Sequence, residues 1–269
     1  MNDEKYIGVF DSGIGGLTVV KSIMDIMPDE NIVYYGDTAH VPYGNRSKGQ
    51  IINYVNDDIL FLQKFNLKAI VIACNTADSI AREYAENKFD LPFFGVVEPA
   101  SAEAAITTRN GKIGVIATNA TVNSRAYENA IGRINKELTV ISKACPLLVP
   151  LVENNRFKKN DSVIETVLNE YLEPLKAEKI DTLVLGCTHY PLLYDLISDI
   201  MPGTKIISSS VVAANALKKG MIELGLYGGN VSAQRKFYVS DNPELFGSKA
   251  STFLGSDMKV SVKHISEID

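Results

Sequence analysis

Short apolar runs alternate with helical patterns along the chain, and this alternation limits the folds open to it. The runs are IGVF at 7–10, NIVYYG at 31–36, AIVIAC at 69–74 and FFGVV at 93–97. Continuous runs of this kind are typical of parallel strands that are buried on both faces. Between them, segments such as Ile51–Phe65 carry apolar residues at the spacing of a helix. The sequence therefore predicts an α/β fold with mainly parallel sheets flanked by helices.

The same order of motifs occurs a second time. KIGVIAT at 112–118 repeats YIGVFDS at 6–12, and TLVLGCTHY at 182–190 repeats AIVIACNTA at 69–77. LTVISKACPLLVPLVE, at 138–153, supplies the second strand and the following loop of the later half. Two similar α/β domains that face each other across a central cleft are the simplest explanation.

Composition excludes several classes of protein. An apolar fraction of 46% and a charged fraction of 22% in 269 residues are typical of a soluble globular protein. The 27 basic residues are scattered and outnumbered by 32 acidic ones, which argues against nucleic acid or an anionic membrane as a partner. No run approaches the roughly 20 apolar residues of a membrane helix, and the sequence starts without an apolar targeting segment. We therefore expect a cytoplasmic protein with a small-molecule substrate.

Three cysteines occur, Cys74, Cys145 and Cys187, without a CxxC pair. This odd number provides neither a disulfide framework nor a four-cysteine zinc site. A metal site built from Cys74, Cys187 and His189 would lack a fourth ligand, and no lysine lies in a recognisable pyridoxal phosphate motif. We predict a protein without metal or other cofactor, and we interpret Cys145 as structural.

Polar residues follow the predicted strands where a site would form, because ligands of parallel sheets lie beyond the carboxyl ends of the strands. These residues are Asp11, Ser12, Cys74, Asn75, Thr76, Thr118, Cys187, Thr188 and His189. The loop from Asp11 to Gly16 resembles a phosphate-binding turn, but it is not a GxGxxG motif and lacks the Lys-Ser/Thr pair of a P-loop. We interpret it as a tight turn that holds Asp11 and Ser12 against a substrate.

The two cysteines in matching positions suggest a pair of bases. Cys74 precedes the helical pattern ADSIAREYAENK, and a helix is predicted to begin near Pro191, shortly after Cys187. A helix N-terminus lowers the pKa of a nearby thiol. A racemase removes a proton from one face of a carbon atom and returns one to the other, which a thiolate and a thiol on opposite sides can do. Asp11 beside Cys74, and Glu153 or His189 beside Cys187, are the available helpers.

Four motifs carry a resemblance to a known family. They are FDSGIGGLTV at 10–19, VPYG at 41–44, ACNTA at 73–77 and GCTHYPLL at 186–193. With them the sequence resembles the glutamate racemases of the aspartate/glutamate racemase superfamily over nearly the whole chain. The resemblance implies catalysis by Cys74 and Cys187, and substrate contacts at Asp11, Ser12, Tyr43, Gly44, Asn75, Thr76, Thr118, Thr121, Thr188 and His189. It also implies cofactor-independent supply of D-glutamate for peptidoglycan synthesis, and a homodimer.

The resemblance further implies that residues 1–97 and 208–269 form one domain and residues 98–207 the other. The chain departs from the family pattern at a few positions, namely His40, Asp78, Ala117, Ala120 and Ser208. Asp78 is a negative charge one turn after Cys74, and it would oppose thiolate formation if the two groups were close.

Other functions fit parts of the pattern. Racemisation of aspartate or another small acid is the alternative within the superfamily. A cysteine with a nearby histidine and acid also suits a thiol hydrolase, although hydrolysis gives the second cysteine no role. A doubled α/β cleft would suit a non-catalytic small-ligand binding protein as well.

Overall fold

A computed structural model of the protein describes residues 4–228, 232–255 and 260–268. Ten strands lie in these ranges: β1 (Tyr6–Asp11), β2 (Ile32–Gly36), β3 (Leu67–Ile72), β4 (Phe93–Phe94), β5 (Lys112–Ala117), β6 (Thr139–Ala144), β7 (Thr182–Gly186), β8 (Lys205–Ser208), β9 (Arg235–Val239) and β10 (Val262–His264). All of the strand pairs between them are parallel. They form a six-stranded sheet and a four-stranded sheet.

Eleven α-helices connect and cover these strands in the described ranges: α1 (Leu17–Ile26), α2 (Lys48–Leu62), α3 (Asn75–Lys88), α4 (Val97–Thr107), α5 (Asn119–Ser124), α6 (Ala126–Ile134), α7 (Leu148–Glu153), α8 (Ser162–Ala177), α9 (Tyr194–Ile200), α10 (Ser209–Glu223) and α11 (Pro243–Leu254). None of the helices described is both long enough and apolar enough to cross a membrane.

The two sheets share one strand order. The first runs β10-β9-β2-β1-β3-β4, and the second runs β6-β5-β7-β8, so that β2-β1-β3-β4 corresponds strand for strand to β6-β5-β7-β8. The central strands are buried, as their continuous apolar sequences predict. The predicted fold class, two similar α/β domains with parallel sheets flanked by helices, is confirmed.

One predicted strand is shorter than expected, and two predicted helices have different bounds. The strand predicted at 93–97 covers only Phe93–Phe94, because the Asp78 carboxylate accepts hydrogen bonds from the N–H groups of Val96 and Val97 and the chain turns there into α4. The helix predicted at 51–65 is α2, which begins earlier because the Ser47 side chain caps it. Near Pro191 the chain forms a short 3-10 helix, Tyr190–Leu193, before α9.

The C-terminal segment contributes to the first sheet. Strand β9 pairs with β2, and α10 contacts both α1 and α4. The domain boundaries at 97/98 and 207/208 remain a prediction.

The turn after β1 forms a close contact between the two halves. Thr18 donates a hydrogen bond to the backbone oxygen of Thr188 over 2.9 Å, and the Thr188 hydroxyl donates to Asp11 Oδ1 over 3.4 Å. A Cβ atom at Gly15 would lie 2.3 Å from Thr188 Oγ1 and 2.5 Å from His189 Nδ1. Only glycine permits this approach, since no side chain fits between the two segments.

We therefore predict that Gly15→Ala destabilises the protein by about 1–3 kcal/mol, because the added methyl group forces Thr188 and His189 away from the turn. Urea unfolding followed by circular dichroism measures this change. Gly49→Ala is the matched control, since a Cβ atom at Gly49 meets no atom within 4 Å. Equal stability of the two variants would show that the close contact does not hold the halves together.

Candidate active site

A cavity of about 230 Å³ lies where the carboxyl ends of the two sheets meet. Residues that follow β1, β3, β5, β6 and β7 all contribute to its wall. Eleven of the residues predicted for the site line it, namely Ser12, Tyr43, Gly44, Cys74, Asn75, Thr76, Thr118, Glu153, Cys187, Thr188 and His189. The remaining two, Asp11 and Thr121, are buried behind the described wall residues.

Cys74 lies at the N-terminus of α3, as predicted, but its thiol does not have the low pKa expected there. It is the N-cap residue of that helix, and its Sγ lies 3.7 Å from Ser12 Oγ. Burial, with a contribution from the negative charge of Asp11, raises the pKa of the Cys74 thiol to about 12, although hydrogen bonds from Ala77 and Ser12 oppose the increase. Desolvation therefore outweighs the effect of the helix N-terminus on the pKa of this thiol.

Asp78 is bound elsewhere and does not act on this thiol as its sequence position suggested. Its Oδ2 accepts from the two N–H groups at the start of α4, and its Oδ1 lies 3.5 Å from Arg82. Burial raises the pKa of Asp78 above its ordinary range. The carboxyl group whose charge reaches Cys74 is Asp11.

Asp11 ends β1 and is completely buried. Its Oδ2 accepts from the N–H of Gly13 over 3.0 Å, and its Oδ1 accepts from Thr188. Burial raises the pKa of Asp11, while the charge of His189 and the hydrogen bonds oppose that increase. The carboxyl group therefore supports the turn after β1 from behind the cavity.

Cys187 has different neighbours. Its Sγ lies 3.9 Å from His189 Nδ1, and His189 Nε2 lies 2.9 Å from Glu153 Oε1. Burial opposes a charge on His189, but the hydrogen bonds and charges of Cys187 and Glu153 outweigh it and raise the pKa of His189 to about 10. Burial likewise opposes a charge on Glu153, but the bond to His189 and the charges of His189 and Lys249 lower its pKa. The second sulfur thus lies beside an imidazolium–carboxylate pair.

Hydroxyl and amide groups occupy the rest of the wall. Thr76 Oγ1 lies 2.9 Å from Thr118 Oγ1 and 3.4 Å from Thr121 Oγ1, so that a hydroxyl cluster joins the two halves. The hydroxyl of Tyr127 donates to Asn75 Oδ1 over 2.6 Å and fixes the orientation of that amide. Nothing in the sequence around Tyr127 indicates this role, because the bond spans 52 positions of the chain.

The Tyr43–Gly44 turn approaches the cavity with its backbone. The Tyr43 hydroxyl is directed away, toward Asp37 and Asp58. A Cβ atom at Gly44 would lie 2.8 Å from Thr118 Cβ, so the turn lies directly against the other half. Among the described lining residues there is no arginine or lysine, and the described residues contain no group of three or more His, Cys, Asp or Glu side chains suited to a metal ion.

Cys145 lines the cavity too, which its interpretation as structural did not anticipate. Its thiol lies 3.5 Å from the backbone oxygen of Lys143, and burial raises its pKa to about 12. The signal was available in the sequence, because Cys145 directly follows β6 and therefore occupies a strand end like the other site residues.

The chain is similar to known racemases along most of its length. The sequence profile of the family described as Asp/Glu/hydantoin racemase matches residues 18–217. The chain belongs to the Asp/Glu/hydantoin racemase family. Among its racemase relatives, glutamate racemase from Neisseria gonorrhoeae is 45% identical over 258 residues, which cover 95% of both chains.

Solved structures of racemases share the fold. A glutamate racemase isoform from Bacillus anthracis matches with a TM-score of 0.93 and 37% identity, covering 97% of both chains. The glutamate racemase from Francisella tularensis, solved in complex with D-glutamate, matches with a TM-score of 0.89 and 36% identity over 97% of both chains. The resemblance recognised in the motifs is confirmed, and the protein is an amino-acid racemase, an isomerase.

The raised pKa of Cys74 gives a testable pH dependence for this racemase. With Cys145 and Cys187 replaced by serine, the rate of alkylation of Cys74 by iodoacetamide should still rise as the pH passes the ordinary thiol pKa of 9.0, because only the thiolate reacts. Asp11→Asn removes a negative charge that raises this pKa, so it should increase the rate at any given pH below the plateau. Asp90→Asn, on the surface, is the control. A rate that is already constant at neutral pH would contradict the effect of burial.

Proposed function

We propose that this racemase interconverts L-glutamate and D-glutamate, with Cys74 and Cys187 as bases on opposite faces of the α-carbon. The observation that carries the proposal is that both thiols line one cavity, each following a corresponding strand of a different sheet. The glutamate racemases similar to this chain, among them the D-glutamate complex from Francisella tularensis, support glutamate as the substrate.

Proton transfer in the proposed reaction balances without an added reagent. In the L-to-D direction, Cys187 as a thiolate removes the α-proton and becomes a thiol. The electron pair of the C–H bond remains on the planar carbon atom, and the Cys74 thiol delivers its proton to the opposite face and becomes a thiolate. The reverse direction exchanges the two roles.

The surroundings of the two sulfurs support this assignment. Burial favours the protonated form of Cys74, which is the form that acts as the acid. His189 brings a positive charge to within 3.9 Å of Cys187, and Glu153 holds that imidazolium in place. We propose that His189, held by Glu153, assists Cys187 by placing a positive charge beside its thiolate. Asp11 is proposed to assist Cys74 by favouring the protonated thiol.

Substrate recognition is proposed to rest on neutral polar groups. The side chains of Asn75, Thr76, Thr118 and Thr188, with the backbone of the Tyr43–Gly44 turn and of Ser12, can hold two carboxylates and an ammonium group. The N-terminus of α3 adds a favourable dipole for an anion. Asp11 and Thr121 would act through these residues from behind the wall.

The proposed metabolic role is the supply of D-glutamate for peptidoglycan in the cytoplasm. The chemistry proposed here uses only side chains of the protein, without a metal ion or pyridoxal phosphate. The homodimer implied by the sequence resemblance stays a prediction.

The function is tested by incubating the protein separately with L-glutamate, D-glutamate and aspartate in heavy water. We predict that both glutamate enantiomers lose optical activity and gain deuterium at the α-carbon, and that aspartate reacts at least about tenfold more slowly. Circular dichroism and mass spectrometry measure the two changes. Faster reaction of aspartate would show that aspartate, not glutamate, is the substrate. If no amino acid gained deuterium at the α-carbon, the result would point to a binding protein.

The roles of the two thiols are tested with glutamate analogues that carry a leaving group on the β-carbon. Elimination needs removal of only one proton, so it reports on one base at a time. Cys74→Ser should retain elimination from the L-analogue and lose it from the D-analogue, and Cys187→Ser should do the opposite, while both abolish racemisation. Cys145→Ser is the control. Equal elimination of both enantiomers by both variants would exclude face-specific bases, and a swapped pattern would reverse only the assignment of faces.

A further inference from the structure

Two buried carboxyl groups lie beneath the turn that lines one side of the cavity. Asp37 follows β2 and is 2% exposed, and Asp58 lies on α2 and is 1% exposed. The Tyr43 hydroxyl lies between them, 2.6 Å from Asp37 Oδ2 and 3.1 Å from Asp58 Oδ2. Neither carboxyl group lines the cavity wall described above, so the proposed proton transfer leaves both without a role.

Asp37 is the accepting carboxylate of this group. The Ser240 hydroxyl donates to its Oδ1 over 2.8 Å, and His40 Nδ1 lies 2.9 Å from both of its oxygens. Because a carboxylate only accepts hydrogen bonds, the hydrogen of the Tyr43 hydroxyl is directed to Asp37 as well, over the shorter and charge-assisted distance.

Asp58 then has to supply the hydrogen in its own contact with Tyr43. The phenol has one hydrogen, and it is already used toward Asp37. Two oxygen atoms at 3.1 Å with no hydrogen between them would repel each other in a buried site, whereas a protonated carboxyl group donates to the phenol oxygen. Burial, followed by the negative charge of Asp37, raises the pKa of Asp58 well above its ordinary range and outweighs the opposing effect of the hydrogen bond with Tyr43.

The phenol connects this hydrogen-bonded chain to the substrate side. Tyr43 is fully buried and begins the short 3-10 helix Tyr43–Asn45. The next two residues face the other half, since Gly44 lies against Thr118, and the Asn119 side chain donates to Asn45 Oδ1 over 3.3 Å. Fixing the phenol at its hydroxyl therefore fixes the backbone of a turn that closes the cavity.

We infer that Asp58 is a positioning residue of the racemase: protonated, it donates to Tyr43, which donates to Asp37, and this chain holds the 41–45 turn against the cavity. The inference rests on the proposed function for its effect on substrate. Asp58 does not touch the substrate, and it acts through Tyr43. Its side chain is required as a hydrogen-bond donor rather than as a charge.

The protonation of Asp58 is tested by infrared difference spectroscopy in heavy water at neutral pH. The spectrum of the wild type minus that of Asp58→Asn should contain the carbonyl band of a protonated carboxylic acid. Asp57→Asn, the exposed neighbour on the same helix, should lose the bands of an ionised carboxylate instead. Loss of ionised-carboxylate bands in Asp58→Asn would overturn the inference. This measurement needs no substrate.

Positioning is tested with a pair of shape-matched variants, Asp58→Asn, which keeps a donor, and Asp58→Leu, which removes it. Hydrogen exchange of the peptide that covers 41–45 should accelerate about three- to tenfold in Asp58→Leu and stay near the wild-type rate in Asp58→Asn. Urea unfolding should show that Asp58→Leu still folds cooperatively, although the variant leaves the phenol oxygen without its donor. Unchanged exchange of the turn in a folded Asp58→Leu variant would overturn the inference, and so would acceleration in both variants.

The effect on the reaction separates this inference from the proposed function. With glutamate, Asp58→Leu should raise KM about three- to tenfold and leave kcat within about twofold. The double variant Tyr43→Phe/Asp58→Leu should have the same KM as Tyr43→Phe alone, because Asp58 acts through the phenol. A fall in kcat at unchanged KM would overturn the positioning role. If the wild type does not convert glutamate, the proposed function fails, whereas the infrared and exchange measurements still decide the role of Asp58.

Discussion

The close contact of the turn after β1 with the Thr188–His189 segment is the constraint on which the site depends. Gly15 leaves no space for a side chain, so the backbone of one half lies directly on Thr188 and His189 of the other. Hydrogen bonds from Thr18 and Thr188 cross the same boundary. The cavity consequently contains groups of both halves at fixed separations, and a change in how the halves meet alters every contact across it.

Close packing of the halves also determines the charge states at the site. Cys74 has the helix N-terminus that lowers a thiol pKa, but it is also buried near the carboxyl group of Asp11, and burial is the larger influence. Cys187 is equally buried, yet the imidazolium of His189, held by Glu153, lies beside it and supplies a positive charge. The sequence repeat places the two thiols after equivalent strands, while the surrounding side chains make the thiols chemically different.

Much of the fold and the wall of the site could be predicted from the sequence, because both depend on local patterns. Continuous apolar runs identify buried strands, and residues after those strands must lie at the same edge of a parallel sheet. What could not be predicted depends on contacts between distant residues. Tyr127 reaches Asn75 from another helix, the bonds of Asp78 end the strand expected at 93–97, and the pKa of Cys74 depends on how completely it is buried. Cys145 is the exception, since its position after β6 was visible in the sequence.

The buried polar groups differ in how they are stabilised, and this difference separates the groups at the cavity wall from the groups that support the wall from behind. His189 and Glu153 form a charged pair at the cavity wall, where a change of charge on Cys187 is felt directly. Asp37 is satisfied by surrounding donors, and Asp58 by its contact with the phenol, so neither requires a ligand to complete its hydrogen bonds. A buried network that is complete without substrate does not gain or lose a partner when substrate binds, and it can therefore keep the turn in one geometry throughout the reaction. The proposed two-base proton transfer needs such rigidity, because both sulfurs would have to stay aligned with one carbon atom while the charge moves from one side to the other.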